Sequence, residues 1–195
     1  MERGEKMLNL RSIGIVGLVL SSFLFGCAIN VTNRVNNQLD LQSLNQRLET
    51  QPTDLTANGK CPGTKSLKII NAETRTGKYC VNEAMGCKWY IIPKDMIDDV
   101  VKHIENKLRE SKIKTGNEFG NEILISLENI KTIEGVWSFG STAKIKIHIP
   151  DIDYTKTYVG ESGSGLGFHA LAYAIHLSID SFIKDPAFQN YIKCQ

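Results

Sequence analysis

The nine residues 141–149, with the sequence STAKIKIHI, constrain the fold more than any other stretch of this chain. The odd positions from 143 to 149 are alanine or isoleucine, and lysine or histidine occupies the positions between them. A period of two is typical of a β-strand that places one face on a core and the other in solvent. A sheet that contains such a strand needs other elements to cover its apolar face.

Four other runs have the residue types of strands. Residues 122–137 and 153–160 flank the alternating run, and residues 67–70 and 87–92 form shorter runs nearer the N-terminus. The three C-terminal runs are joined by short connections, and a Pro-Asp dipeptide marks the second of these as a turn. This spacing favours an antiparallel meander.

Two segments show the apolar spacing of helices. Apolar residues recur every three or four positions in residues 94–111 and again in residues 168–183. The first segment begins with aspartates and ends with lysine and arginine, which complements the helix dipole. The sequence therefore predicts an α+β fold, with an antiparallel sheet of about four to five strands and two helices packed on one face.

Polar residues recur along one side of the second predicted helix, at His169, Tyr173, His176 and Asp180. Two histidines one heptad apart stand about 10.5 Å apart along a helix axis, which is too far for one metal ion. We interpret these residues as a polar surface face and predict no metal site.

The segment GESGSGLG, residues 160–167, is the stretch in which a catalytic or phosphate-binding motif would be sought. Neither Ser162 nor Ser164 has glycines two positions away on both sides, as a nucleophile elbow requires. The segment has no lysine for a Walker loop, and Phe168 stands where the dinucleotide fingerprint needs glycine. We therefore predict a turn into a helix, with Ser164 as its N-cap, and neither an enzyme nor a cofactor.

The N-terminus has the three parts of a signal peptide. A basic segment, residues 1–11, precedes the uncharged apolar run 12–25, and Leu24-Phe25-Gly26-Cys27 follows at its end. These four residues resemble a bacterial lipobox, which implies cleavage after residue 26 and acylation of Cys27. By the same resemblance, Ala28 rather than aspartate after the cysteine implies the outer membrane, with the domain facing the periplasm. The alternative is an uncleaved membrane helix, but the run reaches the required ~20 residues only by including positions 26–29.

Composition divides the rest of the chain into two parts. In residues 27–60, the cysteine that the lipobox resemblance implies to be lipidated is followed by a stretch rich in Asn, Gln and Thr, whose composition predicts a flexible polar tether. Residues 61–195 are long enough for one domain. Loss of three basic and two acidic groups with residues 1–26 lowers the formal charge from +2 to +1. So small a charge argues against nucleic acid as a partner.

Four cysteines follow Cys27, and an even number in an exported domain indicates disulfides. We favour one bridge between Cys80 and Cys87 and another between Cys61 and Cys194. A zinc site is an alternative, but the spacing matches no common zinc motif. Free thiols are the other alternative.

From residue 95 to residue 193 the predicted order of elements is helix, three strands, Gly/Ser segment and long helix, followed by DPAFQNYI. With the lipobox, this order resembles the YajG-type bacterial envelope lipoproteins. The resemblance implies a small periplasm-facing lipoprotein and carries no catalytic residues.

The function that we expect is a binding or scaffolding module for another envelope component. The alternatives are a structural lipoprotein without a specific partner and, less favoured, an enzyme. Aromatic side chains are effective in protein interfaces because they bury a large area at a small entropy cost. The candidate binding surface is Trp137, Phe139, Tyr154 and Tyr158, unless Trp137 is a core residue.

Overall fold

The computed structural model describes residues 28–40, 66–82, 87, 89–116 and 120–193. The strands are β1 (Ile29–Asn30), β2 (Leu67–Asn71), β3 (Tyr79–Asn82), β4 (Trp89–Ile91), β5 (Asn121–Glu134), β6 (Phe139–Ile149) and β7 (Tyr154–Ser164). The helices are α1 (Thr32–Asp40), α2 (Pro93–Glu110), α3 (Gly167–Ile183) and α4 (Pro186–Lys193), with a 3₁₀ turn at Pro150–Ile152. The architecture is α+β, as the sequence predicts.

The main sheet has four strands in the order β2-β5-β6-β7. Strands β5, β6 and β7 form the predicted antiparallel meander. Strand β2, however, runs parallel to β5, so the prediction of a purely antiparallel sheet is wrong at this edge. The chain passes through β3, β4 and α2 between β2 and β5, and a connection of this length can return it in the same direction.

A second sheet of three short strands has the order β1-β4-β3. Strand β1 is parallel to β4, and β3 is antiparallel to it. The Trp89 ring of β4 lies 5.1 Å from the Phe139 ring at the start of β6, so the small sheet contacts the main sheet there. Strands of two to four residues are too short to show a period of two, which is why the sequence did not predict a separate sheet.

The core lies between the main sheet and the helices on one of its faces. Helix α3 packs across β6 and β7, and α2 packs across β2 and β5. Burial alternates along β6, where residues 141, 143, 145, 147 and 149 face the helices, as the period of the sequence indicates. In α2, Met96, Ile97, Val100, Ile104 and Leu108 are buried against this face.

Helix α1 packs on α2 and α3, and it corrects the prediction of a flexible tether over residues 32–40. Val31, Val35 and Leu39 are at most 4% exposed and belong to the core. The Val31 amide donates to the Tyr90 carbonyl over 3.0 Å, and the Thr32 hydroxyl accepts from the Ile92 amide over 2.9 Å. Three apolar residues spaced by four form a narrow stripe that the surrounding Asn and Gln obscure in the composition. Residues 41–60 of the predicted tether lie outside the described residues.

Over the part of the chain that the structure describes, no helix is both long enough and apolar enough to cross a bilayer.

Candidate functional site

One end of the main sheet carries the most exposed aromatic side chain of the predicted surface. We call this end, formed by the β5–β6 turn and the β7–α3 connection (residues 134–139 and 164–167), the hairpin end. Trp137 is 92% exposed there, and its neighbour Val136 is 86% exposed. Phe139 is half-buried because its ring packs on Trp89. Trp137 is therefore a surface residue and does not belong to the core.

The other two predicted surface aromatics do not join Trp137. Ile149 pairs with Tyr154 at the opposite end of β6, which is about 33 Å from Phe139 at the usual rise of a strand. Tyr158 is 4% exposed, and its ring contacts Phe182 of α3 at 5.5 Å. The prediction of one four-residue aromatic surface is wrong. Tyr158 faces the helices, and the Tyr154 hydroxyl shares a 2.8 Å hydrogen bond with the hydroxyl of this buried Tyr158.

The Gly/Ser segment is the end of a strand rather than a turn. Residues 160–164 complete β7 and pair with β6, and only residues 165–166 connect β7 to α3. Gly160 faces α3, where a Cβ atom would lie 1.9 Å from the Ala174 carbonyl oxygen. Glycine is needed here because the helix backbone approaches the strand closely. Ser164 accepts a hydrogen bond from the Leu166 amide over 3.3 Å, but Leu166 occupies the N-cap position.

The face of the main sheet that points away from the helices remains accessible to solvent. We call it the outer face, and it consists of Lys131, Ile133, Gly140, Thr142, Lys144, Lys146, Thr157, Val159, Glu161 and Gly163. Ile133 is 60% and Val159 46% exposed. Gly140 pairs with Gly163, and a Cβ atom on Gly140 would meet no heavy atom within 4 Å. Packing therefore does not require glycine at this position, and the pair leaves a shallow depression flanked by Lys131 and Glu161.

A polar cluster lies between α2 and α3 at His103, Lys107, His176 and Asp180. Lys107 forms an ion pair with Asp180, and the His103 and His176 rings make an edge contact at 5.4 Å. His176 is 1% exposed, and Asp180 is also buried. The prediction of a polar surface face on α3 is therefore wrong for these two residues, because the facing side of α2 supplies a lysine that the sequence of α3 alone does not reveal.

The cluster contains buried atoms without hydrogen bonds. Among the described residues, neither ring nitrogen of His176 has a hydrogen-bond partner, and the nearest carboxylate oxygen, Oδ2 of Asp180, is 3.6 Å from Nε2. Burial and the nearby Lys107 ammonium lower the pKa of His176 to about 4, and burial likewise lowers the pKa of His103 to about 4. Both rings are therefore neutral at pH 7. The described residues hold no group of three His, Cys, Asp or Glu side chains arranged for a metal ion.

Two of the four predicted disulfide cysteines lie within the described residues. Cys80, in β3 of the small sheet, forms a disulfide with Cys87, and their Cα atoms are 5.6 Å apart. Cys61 and Cys194, the other predicted pair, lie outside the described residues.

Cys27 also lies outside the described residues, so the lipid anchor stays a prediction. The resemblance to the YajG-type lipoproteins and the envelope location stay predictions as well. Comparisons of this chain with protein-family models, with curated proteins and with solved structures find no match.

Proposed function

We propose that this chain is a lipoprotein of the bacterial envelope that is held at the outer membrane by an acylated Cys27 and binds another envelope protein. Its binding surface is the outer face of the main sheet. It acts by binding and not by catalysis. The anchor rests on the lipobox-like sequence Leu24-Phe25-Gly26-Cys27.

The observation that carries the binding proposal is the accessible apolar surface on the outer face. Val159 lies next to Lys144 across β6 and β7 and is 46% exposed, whereas the adjacent pair Ile145 and Tyr158, on the opposite side of the same strands, is buried. Together with exposed Ile133, Val159 offers a surface that another protein can cover.

The backbone of the outer face supports the same proposal. The Gly140–Gly163 pair removes two side chains from the surface, and glycine inside a strand often marks a close approach by another molecule. Lys131 and Glu161 flank this depression, and the exposed Ile133 also lines it. Apolar side chains next to charged residues are common in protein interfaces, which have an apolar core and a polar rim.

The anchor is tested by mass spectrometry of the protein purified from cell envelopes. We expect residues 1–26 to be absent and Cys27 to carry acyl chains, and we expect Cys27→Ser to leave an unprocessed precursor. An unmodified Cys27, or an intact leader in the wild type, would contradict the lipoprotein proposal.

The binding surface is tested with a photo-crosslinking amino acid placed at Lys144 in intact cells. We expect one crosslinked envelope protein, and we expect Val159→Asp to lower its yield tenfold or more. Ile152→Asp is the matched control, because Ile152 is also 46% exposed but lies in the 3₁₀ turn at the other end of β6. Equal losses in the two variants, or no protein adduct at Lys144, would favour a structural lipoprotein without a specific partner.

A further inference from the structure

We propose that the hairpin end is a membrane-contact surface that inserts Val136 and Trp137 into the headgroup region of the bilayer that holds the lipid anchor. This inference rests on the proposed acylation of Cys27. It adds a second attachment, made by the folded domain, and it fixes the orientation of the domain on the membrane.

The exposed apolar side chains are concentrated at one end of the molecule. Seven large apolar residues are exposed in the part of the chain that the structure describes. Three of them lie elsewhere, Ile152 in the 3₁₀ turn and Val159 and Ile133 on the outer face, with Ile133 directly before the hairpin end. The other four lie at or next to the hairpin end: Ile29, Val136, Trp137 and Leu166.

The two most exposed residues stand at the tip of a well-supported turn. The Gly135 amide donates to the Ser138 carbonyl over 2.7 Å, which closes a turn with Val136 and Trp137 at its centre. Such positions usually carry Gly, Asn, Asp or Pro, because those residues suit the backbone of a turn and the surrounding water. Strands of 14 and 11 residues hold the turn in place. Valine and tryptophan at this tip indicate a contact with something other than water.

The N-terminal segment enters the fold at the same end. Ile29 pairs with Trp89, and the Trp89 ring stacks on Phe139 at the base of the β5–β6 turn. Strand β4 runs from there towards α2. The Lys94 carbonyl at the start of α2 accepts a 2.9 Å hydrogen bond from the Asn71 side chain, and Asn71 pairs with Ile125, near the beginning of β5 and far from the hairpin end. Because β1 is parallel to β4, it also runs away from the hairpin end.

Ile29, two residues after Cys27 in the sequence, consequently lies on the side of the molecule where Trp137 is displayed. Only two peptide units separate Cys27 from Ile29, and these span at most about 7 Å. Acyl chains on Cys27 would therefore bring the hairpin end to the bilayer surface, where tethering raises the local concentration of lipid around the turn.

The chemistry of the tip suits a bilayer interface. Tryptophan is enriched at the membrane–water boundary, because its ring is apolar and its N–H can bond to headgroups or water. Attachment through apolar side chains does not need a basic surface, in agreement with the formal charge of +2 for the full chain. In this orientation the strands of the main sheet stand away from the membrane, and the outer face is open to a partner from the side.

The test uses the lipidated, full-length mature protein reconstituted into vesicles of phosphatidylethanolamine and phosphatidylglycerol with brominated acyl chains. Bromine quenches tryptophan at the depth of the upper acyl chain, and the Trp137→Phe variant gives the background from Trp89. We expect at least half of the Trp137 emission to be quenched. We expect Val136→Asp to reduce this quenching more than twofold, while Ile152→Asp leaves it unchanged.

The possible results distinguish a failure of the membrane contact from a failure of the lipid anchor or of folding. Val136 is 86% exposed, so Val136→Asp should melt at the temperature of the wild type, which excludes misfolding as the cause of lost quenching. Unquenched Trp137 in a protein that carries acyl chains and sediments with the vesicles would overturn the membrane-contact surface and leave the anchor intact. An unlipidated Cys27 would overturn both proposals. A protein adduct from a photo-crosslinker at position 137, without quenching, would identify the hairpin end as a protein-binding surface instead.

Discussion

Gly160 and Gly140 are both strand glycines of the main sheet, but the structure gives them opposite roles. Gly160 faces α3, and a methyl group there would be 1.9 Å from the Ala174 carbonyl oxygen and 2.7 Å from the Ser178 nitrogen. We expect Gly160→Ala to lower the free energy of unfolding by about 3 kcal/mol or more, because helix and sheet must separate to admit it. Gly140→Ala is the control, with no atom near the added methyl, and should change stability by less than about 0.5 kcal/mol. Urea unfolding of both variants measures the difference, and equal effects would contradict the close packing of α3 on β7.

His176 makes stability depend on pH in the mildly acid range. Its pKa is lowered from 6.5 to about 4, by burial first and then by Lys107, with Lys184 acting in the same direction and Asp180 in the opposite one. The unfolded chain therefore binds a proton at a higher pH than the folded chain does. The contribution of the neutral ring to the free energy of unfolding is therefore fully present above pH 6.5 and is lost as the pH falls to about 4.

The test of this pH dependence is His176→Leu, which replaces the ring with an apolar side chain of similar size. Urea unfolding at pH 7, 6, 5 and 4 should show a smaller loss of stability in the variant than in the wild type. His103 has the same direction of shift and remains in the variant, so we expect part of the pH dependence to persist. An identical slope in the two proteins would show that His176 is not kept neutral by the fold.

At the scale of elements, α1 is a structural part of the domain although its sequence has the composition of a linker. Leu39 is 4% exposed and packs in the core beside α2 and α3. We expect Leu39→Ala to cost about 2–3 kcal/mol in the free energy of unfolding, the usual range for a buried leucine at the margin of a core. Asn37→Ala, at an exposed position of the same helix, should cost no more than about 0.5 kcal/mol. If both variants unfold at the same urea concentration as the wild type, α1 does not contribute to the stability of the core.

At the scale of the whole molecule, Glu73 and Arg75 join the segment after β2 to the middle of β5. Glu73 is 6% exposed and accepts hydrogen bonds from the Leu127 amide over 3.1 Å and from Arg75 over 2.7 Å, and Arg75 also donates to the Leu127 carbonyl. The hydrogen bond from Arg75 is the main cause that lowers the pKa of Glu73 to about 2, against the opposing effect of burial. The Glu73 and Arg75 side chains thus bond to the backbone of Leu127, which lies just after the part of β5 that pairs with β2.

This link predicts a second acid-sensitive range, below that of His176. Because the pKa of Glu73 is lowered from 4.5 in the unfolded chain, its contribution is complete above pH 4.5 and is lost as the pH falls to about 2. Glu73→Gln should be less stable than the wild type at pH 7 and should show a shallower loss below pH 4.5. Acid titration followed by circular dichroism measures both effects. A variant with the wild-type profile below pH 4.5 would contradict the role of Glu73.

Local sequence patterns were enough to predict the α+β class, the β5–β6–β7 meander and the two long helices. Each of these elements is long enough to show its own period, as in the alternation at residues 143–149, and the period depends only on which side of the element is buried. The disulfide between Cys80 and Cys87 could also be predicted from the sequence, because the two residues are close along the chain.

Which side chains share a surface depends on packing between segments that are distant in the sequence. Tyr158 is buried by α3, His176 meets Lys107 across a helix interface, and α1 packs against helices more than 50 residues away in sequence. The same holds for the position of the N-terminal strand next to the hairpin end, which depends on the pairing of β1 with β4 and on the packing of Trp89 against Phe139. Contacts between distant segments leave no local pattern, because each segment repeats the period of its own element whatever packs against it.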